Sequence, residues 1–365
     1  MTSELRVALL GQGFMGKAHS NAFCQAGHFY DLPYTLRRTL LCGRDPASLD
    51  RMAARWGWEE TATDWRAAID RPDIDIVDIA LPNHLHAPAA IAAAEAGKIV
   101  FCEKPLAMTV EEAQAIVDAA TASKRKLVIG YILRVHPAWI KFIEIARTLG
   151  KPLVMRMNLN QQSHGPAWNW HRNLMDSMSP IVDCGVHYVD VMCQMTGAKP
   201  TRVCAVGARL TDDIKAGMYN YGQLQVTFDD GSVGWYEAGW GPMMSEVAFF
   251  VKDVVGPKGC VSIVKDPNEA AAAGSDDIDS HTKTNCIRVH YSDIDAKNEF
   301  VKPDQFLSTE DEPDHQALCD REQAYLLRAI QQDLDLSDHM QDAVNSLRIV
   351  LAADESVRSG QVVAL

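Results

Sequence analysis

Short apolar runs alternate with helical stretches along the first third of the chain. Leu5 to Leu10, Thr39 to Cys42, Asp75 to Leu81 and Lys126 to Gly130 read as strands, and so does the run Ile99-Val100-Phe101-Cys102. Runs that are apolar without alternation are what strands buried on both faces show. Between them lie helical stretches: one opening at Gly16 and continuing through Ala18, Ala22 and Phe23, then Pro46 to Trp56, Asp64 to Asp70, Ala89 to Ala96 and Val110 to Ser123. Pro46 sits at a first turn, Asn83 is placed to cap the Ala-rich helix that Gly97 closes, and Thr109 is placed as the N-cap of the last. Strands and helices alternating with short links predict a parallel, doubly wound α/β sheet.

After Gly130 the pattern changes. An amphipathic helix from Ala138 to Leu149 precedes segments that alternate apolar and polar residues, Leu153 to Gln161, Gly222 to Phe228 and Ser232 to Ala238. Asp230-Gly231 is a hairpin turn between the last two. Ser179 to Met192 has apolar residues at 182, 186, 189 and 192, which is helical spacing. Residues 268–279 read as a polar loop, and 322–330 and 343–357 as helices. The expected domains are 1–130, carrying the parallel sheet, and 131–365, an α+β unit with a mostly antiparallel sheet.

The length of 365 residues fits two domains, and 47% hydrophobic with 23% charged residues fits a globular protein with real cores. A formal net charge of −13 offers no footprint for nucleic acid or an anionic membrane. No apolar stretch approaches the ~20 residues of a membrane span. The few residues before the first strand leave no room for a signal segment, so the expected location is cytoplasmic. Nine cysteines without a CxxC pair fit reduced, inert thiols.

The candidate chemistry lies at strand ends. Gly11-Gln12-Gly13-Phe14-Met15-Gly16 stands between the first strand and a helix, the setting in which G-x-G-x-x-G is a dinucleotide fingerprint. At the end of the second strand, where a ribose-binding acid is expected, stand Gly43, Arg44 and Asp45, so NAD and NADP both stay open. Glu103 and Lys104 end the central apolar strand, where α/β sheets bind ligands, and Pro105 fixes the backbone behind Lys104 as a candidate catalytic cation. Pro82, Asn83, His84 and His86 follow another strand. The two histidines are spaced poorly for a metal pair.

Asp183, His187 and Asp190 fall at i, i+4 and i+7 of a helix. Carboxylates one turn on either side of a His orient the ring and make it a candidate general base. No third ligand at suitable spacing supports a metal there. Gly185 inside this helix costs ~1 kcal/mol relative to Ala, which points to a close approach to the backbone.

The fingerprint Gly11 to Gly16, the Glu103-Lys104-Pro105 tripeptide and the Asp183-x-Gly185-x-His187 helix, in that order, resemble the glucose-fructose oxidoreductase and inositol dehydrogenase family, also called Gfo/Idh/MocA. The resemblance implies an N-terminal Rossmann domain and a C-terminal domain whose large open sheet serves oligomerisation, as a homodimer or homotetramer. It implies NAD(P)-dependent oxidation or reduction of a sugar, glycoside or inositol. Lys104 then matches the catalytic lysine, and Asp183 and His187 the substrate-binding and proton-transfer pair. Phe14, Met15, Pro82, Asn83, His86, Glu103 and Arg134 match cofactor-side positions, with Arg44 at the ribose end. Flat surface for a polyol is available from Trp168, Trp170, His171, Trp235, Tyr236 and Trp240. The alternative reading is a glycoside hydrolase or lyase that oxidises the sugar transiently with tightly bound NAD. Its extra acid/base would come from Tyr131, His136, His164, His171, Tyr236 or Glu237.

Overall fold

The computed structural model describes residues 3–29, 31–244, 251–264, 282, 284–309 and 312–365. In chain order the elements are β1 (Ser3–Leu10), α1 (Phe14–Phe29), β2 (Tyr34–Cys42), α2 (Pro46–Trp56), β3 (Glu60–Ala62), α3 (Trp65–Ile69), β4 (Ile76–Ile79), α4 (His86–Glu95), β5 (Ile99–Glu103), α5 (Val110–Ser123) and β6 (Leu127–Gly130). They continue with α6 (Pro137–Thr148), β7 (Val154–Gln162), α7 (Gly165–Leu174), α8 (Pro180–Asp183), α9 (Gly185–Thr196), β8 (Pro200–Ala208), β9 (Tyr221–Phe228) and β10 (Val233–Gly241). Then come β11 (Lys252–Gly256), β12 (Gly259–Val264), β13 (Cys286–Tyr291), β14 (Gln305–Ser308), α10 (His315–Gln331), α11 (Ser337–Ser359) and β15 (Val363–Ala364).

Two compact units form, one from Met1–Val135 with Asp314–Val344 and one from His136–Pro313 with Asn345–Leu365. Among the described residues the first unit holds a six-stranded sheet, ordered β3-β2-β1-β4-β5-β6 with its pairs parallel. The order reverses between β1 and β4, so the crevice for a ligand lies beyond the carboxyl ends of these strands. Val7, Leu9, Leu41, Ile76, Phe101 and Val128 form its core with Leu326, Leu327 and Leu336. The return of α10 to this unit is not visible in the apolar pattern, which places everything after 130 in the second. Its cause is the apolar stripe of α10, which packs along α1, while Tyr34 donates a 2.8 Å hydrogen bond to the Leu327 carbonyl.

Local chemistry sets the helix starts. Asp45 caps α2 by accepting from the Ala47 amide, and Thr109 caps α5 by accepting from Glu112 N at 3.1 Å. Glu112 reciprocates by accepting from Met108 N, a capping-box arrangement one residue offset. Asn83 behaves differently from the expectation: it opens a 3₁₀ turn, Asn83–Leu85, and α4 begins at His86 without a side-chain cap. The helix therefore starts three residues, His86 to Pro88, earlier than the periodicity suggests, because the 3₁₀ turn runs directly into it.

In the second unit the described strands form a nine-stranded sheet, ordered β14-β13-β12-β11-β7-β10-β9-β8-β15. Only β7 and β10 pair in parallel. Asp230-Gly231 makes the β9–β10 hairpin turn, with Gly231 at φ 82° and Ser232 N donating to Asp230 at 2.9 Å. Helices α6 to α9 pack on one face. Strand alternation sends Tyr236, Ala238 and Trp240 to that face, and leaves Val154, Val206, Val233, Val255 and Phe306 exposed. The helix expected over 179–192 is two pieces, α8 and α9, meeting at Cys184. The polar loop expected over 268–279 lies outside the described residues. No described helix is long and apolar enough to cross a membrane.

Candidate active site

The fingerprint loop follows β1, and each of its glycines has a different steric reason. A Cβ on Gly11, at φ +135°, would stand 2.2 Å from the Ala80 carbonyl oxygen, and one on Gly16 would stand 2.2 Å from that of Gly11. These two close the turn onto the neighbouring strand end and start α1. A Cβ on Gly13 would meet nothing within 4 Å, so the space beside the helix N-terminus is open to a ligand. Unpaired amides and the positive dipole end there suit a pyrophosphate. Phe14 is 60% exposed and Met15 partly buried on this turn. Gly43 packs against the same loop: a Cβ there would fall 2.1 Å from Gln12 Oε1, which accepts from Asp45 N at 3.0 Å. The Gln12 side chain thus crosses the strand end where an acid is expected. Arg44 is exposed next to it.

At the end of β5, Glu103 is buried and turned inward rather than toward the crevice. One carboxylate oxygen accepts from the Lys104 amide at 3.1 Å, and the other meets His19 Nε2 at 3.0 Å. Burial would raise its pKa, but the hydrogen bond and charge of His19, with the Lys104 charge, hold it below the usual value. Lys104 follows, partly buried, ahead of a cis peptide bond to Pro105. His86 is a brace: its ring nitrogens lie 2.8 Å from the carbonyl oxygens of Pro105 and Leu81, tying the loop after β5 to the loop after β4. Burial lowers its pKa, against the pull of the two carbonyls in the other direction. Pro82 is exposed and Asn83 partly buried on that loop. Arg134 is engaged within this unit, donating to Asp342 at 2.8 Å.

The second unit gathers the other candidates around the α8–α9 junction. Asp183 and His187 are both buried, at 7% and 6% exposure, on consecutive turns. A Cβ on Gly185 would stand 2.8 Å from Tyr236 Cε1, so the close approach read from this glycine is the Tyr236 ring. Tyr236 stacks on Tyr188 at 5.1 Å. His171 stacks on Trp240, with ring centroids 4.4 Å apart and planes within 8°. Burial pushes His171 down to about 4 against the pull of Asp183, so it is neutral at pH 7. Trp240 is anchored by its Nε1 donating to Gln161 at 2.9 Å, and the Cys184 thiol contacts both Gln161 and Asp183. Tyr236 Oη and His171 Nδ1 are buried with no hydrogen-bond partner among the described residues. Buried polar atoms are normally satisfied, so two orphans beside Asp183 are what a polar ligand would complete.

Other candidates fall elsewhere. Trp170 is 58% exposed on α7, whereas Trp168 on that helix is buried in one cluster with Trp240 and so stays beside the site. Trp235 and Glu237 point to the opposite face of β10 from Tyr236, and Glu237 accepts from Asn160. His136 caps α6 by accepting from Ala138 N, Tyr131 is buried in the first unit, and His164 is exposed. Asp190, fully buried, accepts from Gln194 at 3.0 Å.

Comparison with known proteins places both units. Residues 5–131 match the family model described as oxidoreductase family, NAD-binding Rossmann fold, and residues 144–260 match the GFO/IDH/MocA C-terminal domain. Over 202 residues the chain is 38% identical to levoglucosan dehydrogenase of Pseudarthrobacter phenanthrenivorans, covering 53% of this chain and 52% of that protein. The match thus spans about half the length of that relative. Over 247 residues it is 28% identical to the scyllo-inositol 2-dehydrogenase (NAD(+)) of Bacillus subtilis, covering 65% and 68%. A solved levoglucosan dehydrogenase in complex with NADH and levoglucosan superposes with a TM-score of 0.79 at 26% identity, covering 99% of each chain.

Proposed function

Because the chain belongs to the Gfo/Idh/MocA oxidoreductase family, we propose that it is an NAD-dependent dehydrogenase acting on a secondary hydroxyl of a sugar, glycoside or inositol. The observation that carries this is the α8–α9 junction: buried Asp183 and His187 beside two unsatisfied polar atoms and two stacked ring pairs, a surface suited to a polyhydroxylated ring. The open space at Gly13, the Gly43–Gln12 crossing and the loop ends braced by His86 fit a dinucleotide. The nicotinamide supplies the hydride acceptor when bound. His187 takes the hydroxyl proton, Asp183 orients that ring and the substrate, and the Lys104 ammonium stabilises the developing alkoxide. His171, neutral and stacked, contributes hydrogen bonding without charge, and Tyr236 offers its hydroxyl as a donor. Pro82, Asn83 and Arg44 are assigned to the cofactor side.

A panel of sugars, anhydrosugars and inositols, read by absorbance of reduced nicotinamide, tests this reading. Accumulation of reduced cofactor with at least one free sugar or polyol is expected. Cleavage of a chromogenic glycoside with no net reduction would instead move the protein to the hydrolase or lyase class.

The exposed valines and Phe306 on the open face of the second sheet support a homodimer or homotetramer formed through that face. Light scattering of the wild type should give a mass above one chain, and Val206→Lys with Val233→Lys should shift it toward the monomer. A monomeric wild type would remove this assignment.

A further inference from the structure

A buried cluster in the first unit was not foreseen from sequence. His19 comes from α1, Asp78 from β4, Glu103 from the end of β5, and Glu322 and Gln323 from α10; all are buried. His19 Nδ1 lies 2.9 Å from Asp78 Oδ1, and Nε2 lies 3.0 Å from Glu103 Oε1. Carboxylates only accept, so a ring facing one from each nitrogen donates from both and is an imidazolium. Burial would push His19 down, but Asp78 and Glu103 hold it well above its usual range. Gln323 completes the set, donating to the second oxygen of Asp78 at 3.0 Å.

Glu322 differs from the other acids. It is 3% exposed, and neither carboxylate oxygen has a hydrogen-bond partner among the described residues. Its ligand-type oxygen lies within 4.8 Å of those of His19 and Glu103. Burying an ionised carboxylate with no donor costs far more than burying a protonated one. The convergence of His19, Glu103 and Glu322 has the outline of a metal site, but His19 Nε2 is already committed to Glu103.

We propose that Glu322 is protonated in the folded protein and that His19, Glu103 and Glu322 form a buried cluster of positioning residues for Lys104. The inference rests on the role assigned to Lys104 above. Glu103 reaches Lys104 directly, through its amide, and His19 fixes the Glu103 carboxylate that makes this bond. With Glu322 neutral, one imidazolium faces two carboxylates, and the remaining negative charge is matched by the Lys104 ammonium. An ionised Glu322 would add an uncompensated negative charge to which Lys104, like His19, would respond. The groups acting on Glu322 are Glu103, His19, Asp78 and Lys104 from the other elements and Cys319 on its own helix. Burial, then the Glu103 charge, raise its pKa well above the usual carboxylate value.

The test uses the full chain and does not depend on finding the substrate. A raised folded-state pKa means that wild-type stability is lost as pH climbs from the unfolded carboxylate range toward the folded value. Glu322→Gln, neutral at every pH, lacks that loss. Its melting temperature should therefore exceed the wild type's at pH 8 by more than at pH 4. A melting temperature lower than the wild type's, with the deficit growing toward pH 8, would show an ionised, bonded Glu322 and overturn the proposal. A stoichiometric metal in elemental analysis of the wild type, lost in Glu322→Gln, would also overturn it. In turnover, His19→Gln and Glu322→Ala should each reduce kcat by about 10- to 100-fold with NAD affinity kept, since small misplacements of a reacting group cost this much. Glu322→Gln should restore most of the Glu322→Ala loss. Equal losses in the Gln and Ala variants would overturn the protonation assignment. If Lys104→Ala turned over normally, the role of Lys104 would fail while the melting curves still decided the state of Glu322.

Discussion

Lys104→Ala and His187→Ala are each expected to lower kcat by ~10² to 10⁴-fold while NAD affinity stays near the wild-type value, because a positioned acid, base or cation contributes on that scale to proton transfer and alkoxide stabilisation. The two residues are held differently. Lys104 follows a strand end whose amide is clamped by Glu103, ahead of a loop braced by His86, so truncating its side chain leaves the backbone fixed. His187 sits on the first full turn of α9, where the Ala replacement keeps helix propensity. Neither change therefore needs to unfold its unit. Steady-state kinetics with the sugar or polyol found in the substrate panel, beside calorimetric titration with NAD, separates chemistry from binding. Turnover within a few-fold of wild type in either variant removes that residue from the reaction. The Lys104→Arg variant sharpens the test: the charge survives, but a planar fork replaces a compact ammonium, so partial activity marks a purely electrostatic role.

How much of this was legible in the sequence follows from which interactions are local. The parallel sheet was legible because its buried strands are mainly apolar runs, with Asp78 in β4 the exception, and the fingerprint was legible because its glycines sit between a strand and a helix. Gly185 announced a close contact from its cost in a helix, though only the structure names Tyr236 as the visitor. The cluster behind Lys104 was not legible. His19 pairs with Asp78 and Glu103 across 59 and 84 residues, and Asp78 with Gln323 across 245, so no periodicity or spacing links them. A buried acid such as Glu322 is indistinguishable in sequence from a solvated one on the polar face of α10. The Gly43 departure was visible as an anomaly, but the Gln12 side chain lying against that position depends on the fold of two separate loops. Asn83 had the residue type of a cap but not the geometry, since a 3₁₀ turn intervenes before α4.

Gly13→Asp is expected to abolish NAD binding in calorimetric titration while leaving the melting temperature within a few degrees of wild type. The structure gives the reason for both halves. A Cβ at Gly13 meets nothing within 4 Å and its φ is not in the left-handed region, so the protein itself tolerates a side chain there. The added carboxylate instead occupies, with the wrong charge, the open space at the N-terminus of α1 where amides and dipole favour an anion. Gly11→Ala is the contrasting variant. Its Cβ would press to 2.2 Å from the Ala80 carbonyl oxygen at φ +135°, a conformation and a contact that only glycine accepts. It should lower the melting temperature as well as affinity, because the loop must shift away from the end of β4. Loss of affinity in Gly13→Asp without loss of stability assigns the anion site to this loop. Unchanged affinity in Gly13→Asp would place the cofactor elsewhere, and with it the reading of Lys104 as the residue beside the nicotinamide.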